Sequence, residues 1–489
     1  MRIIPFKYHT ALTFILIIFA FFQSCKKEDI FIDEPTIALQ FSNDSIVFDT
    51  VFTTIGSITK QLKVYNPYGH KINIKNIELK GGETSAYRLN IDGTPALKLN
   101  DIELQGGDSM YIFIRVLVDP NDLNSPFVVD DKILFETNSY SKEIDLVAWG
   151  QNANYIIADQ HLEGLPPFAI IAGDNEIVSW DDTQPYLIYG YAVVDSGAML
   201  QIEAGTKIHF HNNSGLWVYK GGRIKVMGTL DDPVTFEGDR LDEDYRDLPG
   251  QWDRIWINEG AEDNEINHAI IKNGFIGLQL ETLVDPMGNK LILKNTQISN
   301  MSGSGILARN YHLEASNNVV VNCGNYLAEL TEGGNYRFIH STFANHWDAS
   351  HRQSPSVYFN NYKLDASNNI VSQAFDAYFG NCIIDGRESN EIFFEFTEEN
   401  NPDFKFDHTS LKTLLNTSND ERFKNCILNP EFLFQNIEEM NFQLDSLSPL
   451  IDKGSKEITY ESPFDLLGTP RTTSPDLGAY EFIPGLPKK

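Results

Sequence analysis

Cysteine is scarce, with four in 489 residues. One of them, Cys25, follows directly on an uncharged N-terminal run. The other three, Cys323, Cys382 and Cys426, are an odd number, which argues against a disulfide framework. No Cys-x-x-Cys or His-x-x-x-His spacing accompanies them, so buried thiols are expected rather than a metal centre, and no cofactor is called for. Positive charge is the second shortage. Lys and Arg number 38 against 68 Asp and Glu, a formal net charge of −30. Such a chain is repelled by phosphate backbones, which excludes nucleic acid as a partner, and it disfavours polyanionic sugars unless a cation bridges them. Long apolar runs are missing too. The one from Ala11 to Phe22 is shorter than the roughly 20 residues of a membrane-spanning helix. There is no G-x-S-x-G elbow, P-loop or HExxH sequence. What is present is a folded composition, 42% hydrophobic and 12% aromatic with 22% charged residues. That is enough apolar material for two cores.

The N-terminus reads as an address. Arg2 and Lys7 precede the Ala11–Phe22 run, the pattern of a signal peptide over residues 1–24. The run ends in Ser24-Cys25, which resembles the lipobox of bacterial lipoproteins and implies acylation of Cys25. Lys27-Glu28-Asp29 then resembles the surface-export signal of Bacteroidota-type lipoproteins. The resemblance implies an outer-membrane protein, held to the membrane by its lipid on a tether over 25–35 and facing the cell exterior. Two or three acyl chains anchor firmly where one is marginal.

From 36 to 152 the hydrophobic pattern has period two, in runs such as Gln61-Leu62-Lys63-Val64-Tyr65 and Ser109-Met110-Tyr111-Ile112-Phe113-Ile114-Arg115-Val116. Asn66-Pro67, Gly106-Gly107-Asp108 and Asp119-Pro120 punctuate them. Short strands at this spacing predict an antiparallel sandwich. The Val64-Tyr65-Asn66-Pro67 strand end and the closing Leu146-Val147-Ala148-Trp149-Gly150 resemble immunoglobulin-like modules of the ASPM/SPD-2/Hydin type, which act as spacers or adhesion units.

Beyond 153 the chain repeats. A leading Asn or His recurs at 268, 295, 317 and 340, heading segments that can be overlaid, a step of 22 to 27 residues. That step fits one coil of a β-solenoid. Equal positions in successive coils stack about 4.8 Å apart, and Asn tolerates the left-handed backbone of a turn while bonding to its neighbour's amide. The Asn/His column is therefore read as structural. The dipeptides Asn322-Cys323, Asn381-Cys382 and Asn425-Cys426 predict one recurring slot with the thiol turned inward. Upstream, Ile202-Glu203-Ala204-Gly205-Thr206, Asp232-Pro233-Val234-Thr235-Phe236 and Trp252-Asp253-Arg254-Ile255 resemble the first coils of right-handed parallel β-helix proteins of the pectin-lyase-like superfamily. The expected architecture is all-β: an immunoglobulin-like β-sandwich (36–152), a right-handed parallel β-helix (153–440) and a C-terminal cap (441–489). That cap carries Asp465, Arg471 and Asp476-Leu477-Gly478-Ala479-Tyr480-Glu481.

The superfamily resemblance implies polysaccharide lyases and glycoside hydrolases, yet their motif series is not found. Arg223-Ile224-Lys225 matches one hydrolase triplet but precedes the coils that would carry its aspartates. A lyase would bring a calcium ion among clustered carboxylates, and Asp239, Asp242, Glu243, Asp244 and Asp247 beside Arg246 are candidates that read equally as a solvated loop. The expectation is a lipid-anchored surface protein whose β-helix presents a glycan- or partner-binding face without catalysis. A polysaccharide-cleaving enzyme is the alternative, and a structural spacer or adhesin the second alternative. The candidate ligand site is the segment 238–252, where Asp244, Tyr245, Arg246 and Trp252 combine rings with hydrogen-bonding groups.

Overall fold

The computed structural model describes residues 38–484, apart from 55, 121–125, 139, 261–262, 283–288, 432 and 472–473. Cys25, Lys27, Glu28 and Asp29 lie outside the described residues. The chain divides into two compact units: residues up to Gly150, less the segment 121–126, and the remainder.

The first unit is a sandwich of two five-stranded sheets. One runs Gln40–Phe41, Lys60–Tyr65, Ser109–Val116, Tyr87–Ile91, Thr94–Pro95. The other runs Ser45–Phe52, Ser141–Gln151, Phe127–Glu136, Ile72–Leu79, Lys98–Leu104. Alternation decides the faces, because successive side chains of a strand point to opposite sides. In Ser109–Val116, Met110, Ile112, Ile114 and Val116 are buried while Tyr111, Phe113 and Arg115 face out. Burying each such aliphatic side chain contributes roughly 1.5–3 kcal/mol. Asn66 fixes a turn from inside. Its amide nitrogen donates to the carbonyls of His70, Leu104 and Gln105 at 2.7, 3.1 and 3.0 Å.

The second unit is a parallel β-helix with three faces. The first face is an eleven-stranded parallel sheet from Asn154–Ile157 to Ile427–Leu428. The second holds Tyr191–Val194, Gly215–Val218, Trp252–Asn258, Gly274–Glu281, Val357–Asn360 and Ile392–Glu395. The third includes Met199–Glu203, Arg223–Met227, Lys290–Lys294 and Phe375–Gly380. The long strands Ile306–Ser316 and Ala328–Ile339 turn the corner between these two faces and join them into one sheet. Inside, like stacks on like. Ile208, Phe236, Ile271, Ile298, Val320, Phe343, Ile384 and Leu411 pair in successive register, and each is fully buried. Phe338, Phe379, Phe406 and Phe423 stack with centroids 4.9, 5.1 and 5.3 Å apart.

The Asn/His column behaves as its chemistry requires. His268, Asn295, Asn317, His340, Asn381, His408 and Asn425 all have φ between +46° and +55°. Their side chains link coil to coil: Asn295 Nδ2 donates to Asn267 Oδ1 at 2.9 Å, Asn317 Nδ2 to Asn295 Oδ1 at 3.2 Å, and Asn381 Nδ2 lies 3.0 Å from His340 Nε2. One expectation needs correction. Asn381-Cys382 and Asn425-Cys426 share the slot before a first-face strand, but Asn322-Cys323 ends the strand Val319–Cys323. It belongs to a second column with Asn273 and Asn300, also at positive φ. Both turns of a first-face strand demand the same left-handed residue, so the same dipeptide arises at either end. Cys323 and Cys382 are buried, and Cys426 is partly exposed.

The C-terminal segment packs along the outer side of the first face. Phe442, Leu466 and Ala479 cover Val319, Val321 and Ala344, while Leu444, Leu450 and Leu477 cover Ile383. It grips the Asn column: Arg471 donates to Asn317 Oδ1 at 3.1 Å and pairs with Glu481 at 2.5 Å, and Ser455 N donates to Asn381 Oδ1 at 2.7 Å.

Candidate functional site

The segment 238–252 is held down rather than free. Asn273 Nδ2 and Asn300 Nδ2 donate to the carbonyls of Arg246 and Asp247, at 2.5 and 2.6 Å. Tyr245 is exposed, but the Arg240 guanidinium lies 3.7 Å from its ring centroid and occupies one ring face. Asp244 is exposed, and the Arg246 guanidinium pairs with Asp247 at 3.4 Å. Trp252 corrects the expectation of a ligand-facing ring. It is 1% exposed, stacks on Phe210 at 4.4 Å and donates from Nε1 to Lys272 O. The alternation of Ile255 and Ile257 does not by itself put it inside; the register irregularity between Arg254 and Ile255 lies between them, and Trp252 packs inward at the strand's start. Among the described residues no group of three or more His, Cys, Asp or Glu side chains is arranged to hold a metal ion. Arg223 and Lys225 lie on the third face, 3.7 and 3.8 Å from Asp263, with Ile224 buried between them.

The side chains that do converge are on the outer side of the second face. Register places Trp217, Trp256, Gln279, Leu307, Glu329, Tyr358 and Phe393 in one column, one per coil. Asn258, Glu281, Arg309, Thr331, Asn360 and Glu395 form the next column. The ends of this face are aromatic. Trp217 and Trp256 stack at 4.7 Å and 9°, and Tyr358 stacks between Tyr326 and Phe393 at 5.4 and 6.1 Å. These rings occupy one another's faces and turn their edges outward, so they brace the wall rather than offer a flat platform. Their polar tips are engaged: Trp217 Nε1 donates to Asn258 and Trp256 Nε1 to Glu281, while Tyr358 and Tyr362 both donate to Glu395. Those two phenols hold the Glu395 carboxyl below its ordinary range.

Between the stacks lies a polar stretch centred on Arg309. Its Nη1 donates to Glu281 Oε1 at 3.0 Å, and its Nε stands 3.9 Å from Glu332 Oε1. Glu281 also accepts from Gln279 Nε2 at 3.0 Å. One coil beyond Arg309, Glu329 is hydrogen-bonded by Ser304 Oγ at 3.3 Å. Burial pushes its carboxyl above the usual value, only partly opposed by Arg309. Glu332 has φ +59° and is followed by Gly333 and Gly334 at +91° and +112°. A left-handed glutamate is strained, and such strain collects at functional sites. On the opposite strand end, a buried pair fixes the loop between Trp347 and Ser356. Arg352 grips Glu391 at 2.8 and 3.0 Å, and Glu391 also accepts from Ser356 N at 2.8 Å and Ser356 Oγ at 2.7 Å.

This site escaped the sequence reading because only first-face strands were aligned there. Setting Leu278-Gln279-Leu280-Glu281 over Ile306-Leu307-Ala308-Arg309 and Ala328-Glu329-Leu330-Thr331 brings the same out-facing positions together.

A family model described as a pectate-lyase-like beta helix domain matches residues 173–274. Among solved structures, the PapD-like domain 7 of human CEP192 is similar at 13% identity, covering 25% of this chain and 92% of that one, with a TM-score of 0.18. A family 123 glycoside hydrolase from Clostridium perfringens is similar at 6% identity, over 24% of this chain and 30% of that one, with a TM-score of 0.17. The Vibrio cholerae VesB protease is similar at 11% identity, over 23% and 31%, with a TM-score of 0.16. No curated protein matches the sequence.

Proposed function

We propose that this protein is a lipid-anchored cell-surface protein that binds a neutral glycan on the outer second face of its β-helix. The carrying observation is the Arg309 cluster: a partly exposed guanidinium bracketed by Glu281 and Glu332, between two aromatic stacks. Charged and amide groups that already hold one another in position can hydrogen-bond sugar hydroxyls without further ordering cost. Successive coils repeat about every 4.8 Å, close to the length of one pyranose unit, so an extended glycan lying along the solenoid axis keeps step with the coils, each sugar facing one coil's groups. The carboxylates outnumber Arg309 there, which argues against uronate polymers. The anchor rests on Ser24-Cys25, and surface exposure on Lys27-Glu28-Asp29.

Glu329 favours a second reading, cleavage of the bound chain. A partly buried carboxyl whose pKa is raised by burial is suited to general-acid work. It would deliver its proton to the glycosidic oxygen as the C–O bond breaks, while Glu332 takes a proton from the attacking water. Affinity electrophoresis of the ectodomain through gels of neutral polysaccharides tests binding, and a reducing-end assay on the same panel tests cleavage. Retardation without new reducing ends supports the binding reading; new ends that vanish in Glu329→Gln support the second. Migration unchanged by every polysaccharide would reject both.

A further inference from the structure

A second concave site lies away from the second face. The outer side of the first face and the segment from Leu433 to Glu438, which includes the hairpin strand Phe434–Asn436, line an open concavity of about 430 Å3. The solenoid wall presents His346, Asp385 and Lys412. Asp385 and Lys412 belong to neighbouring coils, since Ile384 pairs with Leu411. The hairpin wall presents Phe434, Gln435 and Ile437.

The polar row is incompletely satisfied. His346 Nε2 stands 3.2 Å from Asp385 Oδ2 but without the alignment of a hydrogen bond, and among the described residues that buried nitrogen has no other partner. A buried polar atom without a hydrogen bond is costly. Lys412 Nζ donates to Gly386 O, which uses one of its three donors. The His346 ring itself is fixed, stacked near Phe442 and edge-on to Phe434.

Charge and shape narrow the occupant. Asp385 and Glu438 outnumber the single ammonium of Lys412, so an anionic ligand is disfavoured. A carboxylate, an ammonium, an imidazole and an amide facing Phe434 and Ile437 offer mixed donors and acceptors opposite an apolar wall. That combination suits a ligand with hydroxyls on its edge and C–H groups on its face. We propose that this cavity binds a neutral saccharide of one or two rings, through Asp385 and Lys412 on one side, with His346 behind Asp385, and Phe434 and Ile437 on the other. The site is independent of the second-face glycan. Because half of it belongs to the hairpin, an occupant also holds the hairpin against the solenoid.

Calorimetric titration of the full chain with glucose, galactose, mannose, N-acetylglucosamine, maltose and cellobiose tests this, paired with hydrogen exchange of residues 434–444. At least one sugar should bind saturably and slow exchange in the hairpin. Lys412→Met and Asp385→Asn should each weaken that binding at least tenfold, and Arg309→Ala should leave it unchanged. Ile437→Trp fills the mouth of the cavity from its exposed rim without touching the polar row. It should block binding with an unchanged melting temperature, so a folding defect in the polar-row variants cannot mimic the result. Absence of saturable binding to all six sugars would overturn the proposal. So would binding that survives Ile437→Trp, or binding that leaves hairpin exchange unaltered.

Discussion

Arg309 reaches back one coil to Glu281, Nη1 to Oε1 3.0 Å, while its Nε faces Glu332 across the corner at 3.9 Å. One cation thus holds together carboxylates from two different coils of the second face. The pairing is partly exposed, so its net contribution to stability is about 0–1 kcal/mol. Its value lies in position: the guanidinium fixes where the acids point, and it is itself fixed by them.

Glu329 makes stability depend on pH in a definite direction. Its folded-state pKa is raised by burial, so the folded state favours the neutral carboxyl. The resulting contribution is fully present below the ordinary value of 4.5 and is lost as pH rises through the raised folded value. Glu329→Gln, which stays neutral, should therefore gain in melting temperature over the wild type as pH rises from about 4 to 7. Thermal scans of both proteins across that range check this, and a difference that shrinks with rising pH would refute the assignment.

The buried pair Arg352–Glu391 should be indispensable in a way that surface pairs are not. Glu391→Ala leaves a guanidinium whose side chain is 3% exposed without its counter-charge. The expected cost is about 3–5 kcal/mol. Denaturant unfolding should show it as a lower midpoint, whereas Lys132→Ala, at an exposed pair with Glu143, should shift the midpoint little.

Thiol reactivity should follow burial. The Cys323 and Cys382 thiols are pushed up to about 12 by burial, and Cys426 to about 11. A thiol reagent added to the native protein at neutral pH should modify Cys426 first, and the other two only after denaturant is added. Early labelling of Cys323 or Cys382 would mean that the coil opens there.

Anchoring is tested in cells. Cys25→Ser should abolish incorporation of labelled fatty acid and leave the precursor unprocessed. Replacing Lys27, Glu28 and Asp29 with alanine should protect the protein from external protease while lipidation continues. Labelled lipid on the Cys25→Ser protein, or undiminished protease access after the alanine replacements, would reject the corresponding half of the reading.

The β-helix was legible because its turns are chemically demanding. Asn295, Asn317 and His340 recur at a coil's spacing since each must adopt positive φ and bond its neighbour. The regular spacing breaks after His340, because the step to Asn381 contains the loop held by Arg352 and the hairpin Tyr362–Leu364/Ile370–Ser372. Trp252 illustrates the opposite failure. A tryptophan beside charged loop residues resembles a sugar contact, and only its packing on Phe210 and its bond to Lys272 O reveal it as core, because the strand's alternation is broken between Arg254 and Ile255. The Arg309 cluster was hidden for a third reason. Its members sit at 281, 309, 329 and 332, and neither strand length nor spacing aligns them until the register of the second face is known.

The most direct test of the second-face site is the affinity of the ectodomain for its best neutral polysaccharide, compared among the wild type, Arg309→Ala and Tyr245→Ala. Arg309→Ala should weaken binding at least tenfold, about 1.4 kcal/mol, with a melting temperature close to that of the wild type. Tyr245→Ala, in the stapled loop at 238–252, should bind as the wild type does. Equal affinity for the wild type and Arg309→Ala, with loss confined to Tyr245→Ala, would contradict the placement of the glycan on the second face.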